Sequence, residues 1–244
     1  MTLIRKFART ILPADLHRRV KKLISVSAAI KPLSIRCCPL CGYEGYFEWF
    51  GRPPRIDAQC PNCDSLERHR LFYLSILRGE ASINNKEVLH FAAEKQLKKI
   101  IQPLASHYVT ADLMAPADLT LNIENIDLPD NSFDVIVVNH VLEHVDFTLA
   151  RRELSRVLRP RGLLICSVPQ IANWKKTYEP ADVDPSDNEL HFGQYDHIRY
   201  FGADFCMLMC EDTRFSLNRT HVAEGKDVIT YGLLRGEMIH EFIL

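Results

Sequence analysis

The chain has 244 residues, 47% of them apolar and 25% charged, with a formal net charge of −1. That length gives one large domain or a domain plus a small module, and the composition excludes a wholly disordered chain. The sequence holds no run of about 18 apolar residues, which excludes a membrane-spanning helix.

The near-zero charge conceals an asymmetry. Residues 1–36 carry nine basic residues and one acid, a net of +8, so the remainder stands at −9. Leu3, Phe7 and Ile11, then Leu16, Val20 and Ile24, recur every fourth residue on either side of Pro13. This spacing predicts two short amphipathic helices. A basic amphipathic arm of this kind either packs its apolar side on the body or lies on an anionic membrane surface. Charges interrupt any apolar core, so the arm does not read as a secretory signal. The expected location is cytoplasmic, with peripheral membrane contact open through the arm.

Residues 37–70 form a second unit. Cys38 and Cys41 make one C-x-x-C pair, Cys60 and Cys63 another, with eighteen residues between. Two such knuckles supply four thiolates for a tetrahedral zinc site, and four protein ligands leave no place for water. The expected role is therefore structural; a redox pair or unligated thiols are the alternatives. Gly42 and Asp64, the residues after each pair, are suited to a left-handed backbone. The intervening YFEWF reads as a short strand.

From residue 86 onward, apolar runs alternate with helical patterns. Strands are expected over 86–91, 107–111, 119–123, 133–138 and 163–168, and helices over 94–105, 141–158 and 205–211. Closing strands are expected at 228–231 and 238–242. This order predicts an α/β fold with a largely parallel sheet and helices on both faces.

VNHVLEHVD contains His140, Glu143 and His144, which spell the inverted zinc-protease motif. A zinc protease needs both histidines inside one helix and a third ligand downstream. His140 instead follows the apolar strand VIVV, and no downstream helix offers an obvious third ligand. The motif does not read as a protease. Glu143 and His144 read as helix-surface or packing residues.

Several phrases together resemble class I S-adenosylmethionine-dependent methyltransferases of the type 11 kind, with their Rossmann-like doubly wound sheet. They are DNSFDVIVVNHVLEHV followed by ELSRVLRPRGLLICSVP, then KTYE (176–179), HFGQYDHIRYFGADF (191–205) and YGLLRGE (231–237). With the cysteine pairs and SLERHR, they are similar to a bacterial branch carrying an N-terminal zinc ribbon. The resemblance implies three parts: a basic arm (1–36), a zinc ribbon (37–70) and a methyltransferase domain (71–244).

It also implies a cofactor site for S-adenosylmethionine at the strand ends. The loop after the first body strand, VLHFAAE, places His90, Phe91, Ala92 and Glu94 against it. This loop has no glycine, and Ala92 and Ala93 are expected to resist positive φ. Asp112, 22 residues after His90, would take the ribose hydroxyls. Asn122 and Ile123 would meet the adenine, and Asn139 the methionine end. His140 and His197 are the candidate proton acceptors, and Arg199 a candidate for an anionic group on the acceptor.

The implied acceptor is a small molecule of the sugar or glycan type. RNA is an alternative acceptor, weakened by only two basic residues, Arg52 and Arg55, between the cysteine pairs. A non-catalytic binding or scaffold protein, built on the glycine-free loop, is the alternative outside enzymes.

Overall fold

The computed structural model describes residues 34–244 except 52, 53, 80, 81 and 172, together with 16, 19, 20 and 22. The arm expected over 1–36 thus lies almost wholly outside the described residues. No helix among the described residues is long and apolar enough to cross a membrane.

The cysteine-rich segment folds as two small antiparallel pairs. β1 (Arg36–Cys37) pairs with β2 (Glu44–Gly45), and β3 (Glu48–Phe50) with β4 (Arg55–Gln59). The helix α1 (Glu67–Leu77), opening on the phrase SLERHR, leads into the body. There β5 (Glu87–Phe91), β6 (His107–Asp112), β7 (Leu119–Thr120), β8 (Phe133–Asn139) and β9 (Leu158–Ser167) run parallel. β10 (Ser216–Val222) and β11 (Met238–Ile243) close one edge antiparallel, giving the order β10-β11-β9-β8-β5-β6-β7.

Alternation along the strands sorts the core into two layers, as a strand's period of two requires. Leu89, Ile136, Val138, Leu164 and Cys166 face one layer, with α3 (Phe147–Val157) and α5 (Phe205–Cys210) packed on it. Val88, Val135, Val137 and Ile165 face the other, with α1, α2 (Lys95–Ile101) and the side of α6 (Gly225–Tyr231). The short α4 (Asn188–Phe192) lies in the long segment after β9.

Three expectations are corrected. The helix expected over 141–158 begins only at Phe147, and the strand β9 already starts at Leu158. His140 takes a left-handed backbone (φ 53°), which a helix cannot continue through, and Asp146 caps the later start. Its Oδ1 accepts from the amides of Thr148 (2.9 Å) and Leu149 (3.0 Å). The H-x-x-E-H letters are therefore not on a helix at all. The strand expected at 228–231 is instead the end of α6, so the β-favouring VITY yields to its packing on α1's layer. The strand expected over 119–123 stops at Thr120, because the Asn122 side chain turns back to accept from the Glu124 amide at 2.9 Å.

One buried cation joins the cysteine segment to the body. Arg70 is fully buried and donates to four backbone carbonyls. Two belong to the cysteine segment, Ala58 (2.9 Å) and Ser65, and two to the end of α6, Tyr231 and Gly232 (both 2.6 Å). Its guanidinium also stacks over Phe47, 4.6 Å from the ring centre. Gly232 serves the same junction: at φ 58°, a Cβ there would come within 3.1 Å of the Asp57 carbonyl.

Candidate functional site

A cleft of about 710 Å³ opens where Ala92, Asn139 and Val168 leave the ends of β5, β8 and β9. The chain order reverses direction between β5 and β8, so this is the switch point where open α/β sheets leave room for ligands. The segment after β9, including Gln170, His197 and Tyr200, forms one wall. Arg55, Glu67 and Arg68 from the cysteine segment and α1 border it, as does Glu237 before β11.

The loop after β5 turns without glycine because Ala92 itself takes φ 48°, against expectation. Its amide donates to the Ala111 carbonyl at 2.9 Å, which holds the turn against β6. Glu94 lines the cleft but its carboxylate is engaged. Arg68 Nε donates to it at 3.0 Å and His69 Nε2 stands 3.0 Å away. The His69 ring is oriented for this, since its Nδ1 accepts from the Leu66 amide at 3.0 Å. Burial alone would raise the Glu94 pKa, but the bonds from His69 and Arg68 outweigh it and hold it at about 2.

The other expected cofactor residues divide. Asn139 lines the cleft with its Oδ1 accepting from the Ser167 hydroxyl at 2.9 Å, while its buried Nδ2 has no partner among the described residues. His90 is fully buried, bonded through Nδ1 to the Tyr108 hydroxyl at 2.8 Å, and burial lowers its pKa to about 4. His90 and Phe91 are both buried and off the cleft wall. Asp112, the last residue of β6, and Asn122 and Ile123, which follow β7, lie outside that wall. Asp112 Oδ1 accepts from the amides of Met114 (2.8 Å) and Ala115 (2.7 Å).

His140 and His197 both line the cleft. Burial lowers the His197 pKa, so its ring is neutral at pH 7. Arg199 does not face an acceptor. It is buried, and its Nη1 donates to the carbonyls of Leu142 and Val145 at 2.6 Å while Nη2 pairs with Glu179 at 2.5 Å. It clamps the loop after β8 to the segment that covers the cleft.

Two residues assigned to surface or packing, Glu143 and His144, belong to the cleft wall instead. Glu143 is 0% exposed and lies beside His140, His144 and His197. Glu237 also escaped the sequence reading; burial, with Glu67 nearby, raises its pKa to about 7. The phrases DNSFDVIVVNHVLEHV and YGLLRGE flagged these segments without saying which side chain faces inward.

The four paired cysteines converge. Cys38 Sγ lies 3.6 Å from Cys63 Sγ and Cys41 Sγ 3.7 Å from Cys60 Sγ, and all four lie within 4.8 Å of one another. Zinc at about 2.3 Å from each thiolate sets sulfurs about 3.8 Å apart, so the donor set fits that ion. The two knuckles repeat one backbone geometry. Gly42 donates to the Cys38 carbonyl and Asp64 to the Cys60 carbonyl, both at 2.9 Å. Gly42 (φ 73°) and Asp64 (φ 58°) take the left-handed backbone expected of them.

Residues 86–166 match a family model described as a methyltransferase domain. The chain is similar to the demethylmenaquinone methyltransferase of Listeria welshimeri, 39% identical over 61 residues, which cover 23% of this chain and 26% of that protein. It is 36% identical over 59 residues to that of Staphylococcus haemolyticus, covering 22% and 25%. The chain thus spans about a quarter of the length of the curated relatives it matches. Among solved structures, it is similar to an S-adenosylmethionine-dependent methyltransferase from Mesorhizobium loti, with TM-score 0.52 and 12% identity over 69% of this chain and 96% of that one. The PH0226 protein of Pyrococcus horikoshii gives TM-score 0.50 and 15% identity over 75% and 93%. The chain has the Rossmann-like α/β fold of class I S-adenosylmethionine-dependent methyltransferases.

Proposed function

We propose that the protein is an S-adenosylmethionine-dependent methyltransferase acting on a small-molecule or glycan-type acceptor, with a structural zinc ion at Cys38, Cys41, Cys60 and Cys63. The observation that carries this reading is the cleft at the β5/β8 switch point, with the unspent Asn139 Nδ2 at its base. A buried amide donor without a partner is costly, and a ligand carboxylate or carbonyl would satisfy it.

The residues present fit the cofactor. Asp112 Oδ2 would take the ribose hydroxyls, and Asn122 and Ile123 would border the adenine. The backbone of His90, Phe91 and Ala92 would pass the cofactor's middle. Glu94, pinned by Arg68 and His69, would hold the loop in shape. S-adenosylmethionine supplies a methyl group made electrophilic by its sulfonium. The protein's task is to align an acceptor with that methyl and to remove a proton where the acceptor is a hydroxyl. His197, neutral and on the cleft wall, would take that proton. His140, with its buried Nε2 free of partners among the described residues, is the other acceptor in reach.

The demethylmenaquinone named for the matched relatives is one acceptor to include in a substrate screen. The test is thermal unfolding of the zinc-loaded protein with S-adenosylhomocysteine. A ligand at 100 times its Kd adds about 2.7 kcal/mol of stability. A rise in Tm that adenosine plus methionine does not reproduce supports the reading; identical melting curves at millimolar ligand refute it.

A further inference from the structure

Glu143 is the most demanding residue of the cleft. It is 0% exposed, and neither carboxylate oxygen accepts a hydrogen bond among the described residues. Its nearest ion-pair contact is His140 Nδ1, 3.3 Å from Oε1. Leaving a carboxylate dry and without donors costs several kcal/mol unless it is neutralised or meets a cation. Among the described residues, no lysine or arginine side chain is paired with it.

What surrounds it instead is imidazole. One ligand atom each from Glu143, His144 and His197 lies within 4.8 Å of the others. His197 Nδ1 is buried and has no partner among the described residues. His144 is oriented through its other nitrogen. Its Nδ1 donates to the Asp196 carbonyl at 3.0 Å, with the Asp196 carboxylate at 3.4 Å. In the neutral ring this tautomer puts the lone pair on Nε2, the nitrogen that would ligate. A backbone carbonyl or carboxylate on the far nitrogen is how protein metal sites fix the tautomer of a ligating histidine.

The frame that holds these side chains is cross-linked through backbone. The Ile198 amide donates to the Glu143 carbonyl at 3.0 Å, and Arg199 bridges Leu142 and Val145. Two chain segments far apart in sequence are thus fixed against each other around the carboxylate.

We propose that Glu143, His144 and His197 form a second metal site, for a divalent first-row transition ion, in the wall of the cleft. Two imidazoles and one carboxylate suit zinc, cobalt, iron or manganese, and three protein ligands leave positions open on the cleft side. Metal–ligand bonds of about 2.1 Å set donor atoms roughly 3.0–3.5 Å apart. The three side chains, within 4.8 Å of one another, would therefore draw together by at most roughly 1.3–1.8 Å. His140 Nδ1 stands 3.3 Å from Glu143, and with His197 holding the ion the proton-accepting role falls to His140 alone. An ion there would take an oxygen donor of the acceptor, which favours acceptors bearing a hydroxyl or carbonyl oxygen. The metal site stands on its own geometry; its link to the acceptor rests on the methyltransferase reading.

The test uses full-length protein with zinc already at the cysteines, titrated with Co²⁺. A second equivalent should bind and give visible d–d absorption without the near-ultraviolet thiolate-to-cobalt band of a sulfur site. Glu143→Gln and His144→Ala should each weaken that binding by at least the roughly 10–100-fold that loss of an outer-shell partner costs. The cysteine-bound zinc and the Tm should be retained. His144 is half-buried, so its variant keeps the test available if Glu143→Gln does not fold. Less than one extra equivalent at millimolar Co²⁺, or binding unchanged in His144→Ala, would overturn the site. Binding of S-adenosylhomocysteine to the same samples separates the two ideas: its absence alongside a second metal ion would sink the methyltransferase reading and leave this site standing.

Discussion

Replacing Arg70 with Met should uncouple the cysteine segment from the body. The side chain keeps a similar volume while the charge and all donors vanish, so four backbone carbonyls, at Ala58, Ser65, Tyr231 and Gly232, lose their donor together. A hydrogen bond to a charged group contributes about 1.5–3 kcal/mol, which for four bonds is an upper bound near 6–12 kcal/mol. Against this stands the desolvation of a guanidinium that is fully buried, a cost of several kcal/mol that the variant no longer carries. The net loss should be about 3–5 kcal/mol. Urea unfolding of the zinc-loaded protein, followed by far-ultraviolet circular dichroism and by zinc release, measures it. Because two carbonyls lie on each side of the junction, zinc release should precede loss of the sheet in the variant. Arg70→Lys, which can still reach some carbonyls, should lose less. A loss under about 1 kcal/mol with coincident transitions would refute the role assigned to Arg70, since that is the size of an ordinary surface change.

Ala92→Gly should leave the fold intact and raise stability by up to about 1 kcal/mol, because an L-residue in the left-handed region costs roughly 1–2 kcal/mol and glycine's extra unfolded entropy offsets part of it. A fall in Tm would contradict the φ of 48° assigned to Ala92. Cys60→Ser should release the cysteine-bound zinc, read as metal content after dialysis; unchanged content would dismiss the four-thiolate site. Asp112→Ala should weaken S-adenosylhomocysteine binding by about 1–3 kcal/mol, the cost of a charge-assisted bond, and unaltered affinity would remove Asp112 from the site. Glu237 has a folded pKa of about 7 against an ordinary 4.5. A raised folded pKa means that the native state holds its proton more tightly. This stabilisation is complete below pH 4.5 and is lost as pH rises through 7. Glu237→Gln should therefore gain on the parent between pH 5 and pH 8, by at most about 3 kcal/mol in denaturant midpoints. A constant gap across that range would show that the Glu237 carboxylate is not held in its acid form.

The sheet was readable from sequence because its strands are buried on both faces. Runs such as EVLHF and FDVIVVN can be little else when helical patterns lie between them. The C-x-x-C pairs were readable because the spacing itself encodes the knuckle. The start of α3 was not. It turns on His140 accepting a left-handed backbone, which an unpartnered letter does not announce, although the Asp146 cap was there to be read. VITY reads as strand by propensity and becomes helix by packing. Asp112 and Asn139 could be placed by their position at strand ends, because chain order alone fixes where those ends are. Glu143, His144 and Glu237 could not. For Glu143 and His144 the inward direction depends on contacts of their loop with Arg199 and Asp196, more than fifty positions away, and Glu237 is held by its backbone bonds to Ala223 and Leu234.

Calorimetric titration of the purified, zinc-loaded protein with S-adenosylmethionine and S-adenosylhomocysteine tests the central claim most directly. One site of micromolar affinity for both, lost or weakened in Asp112→Ala, is the expected result. No heat of binding for either at millimolar concentration would contradict it. The cleft between β5 and β8 would then be the pocket of a binding protein, built on a methyltransferase frame but without its cofactor.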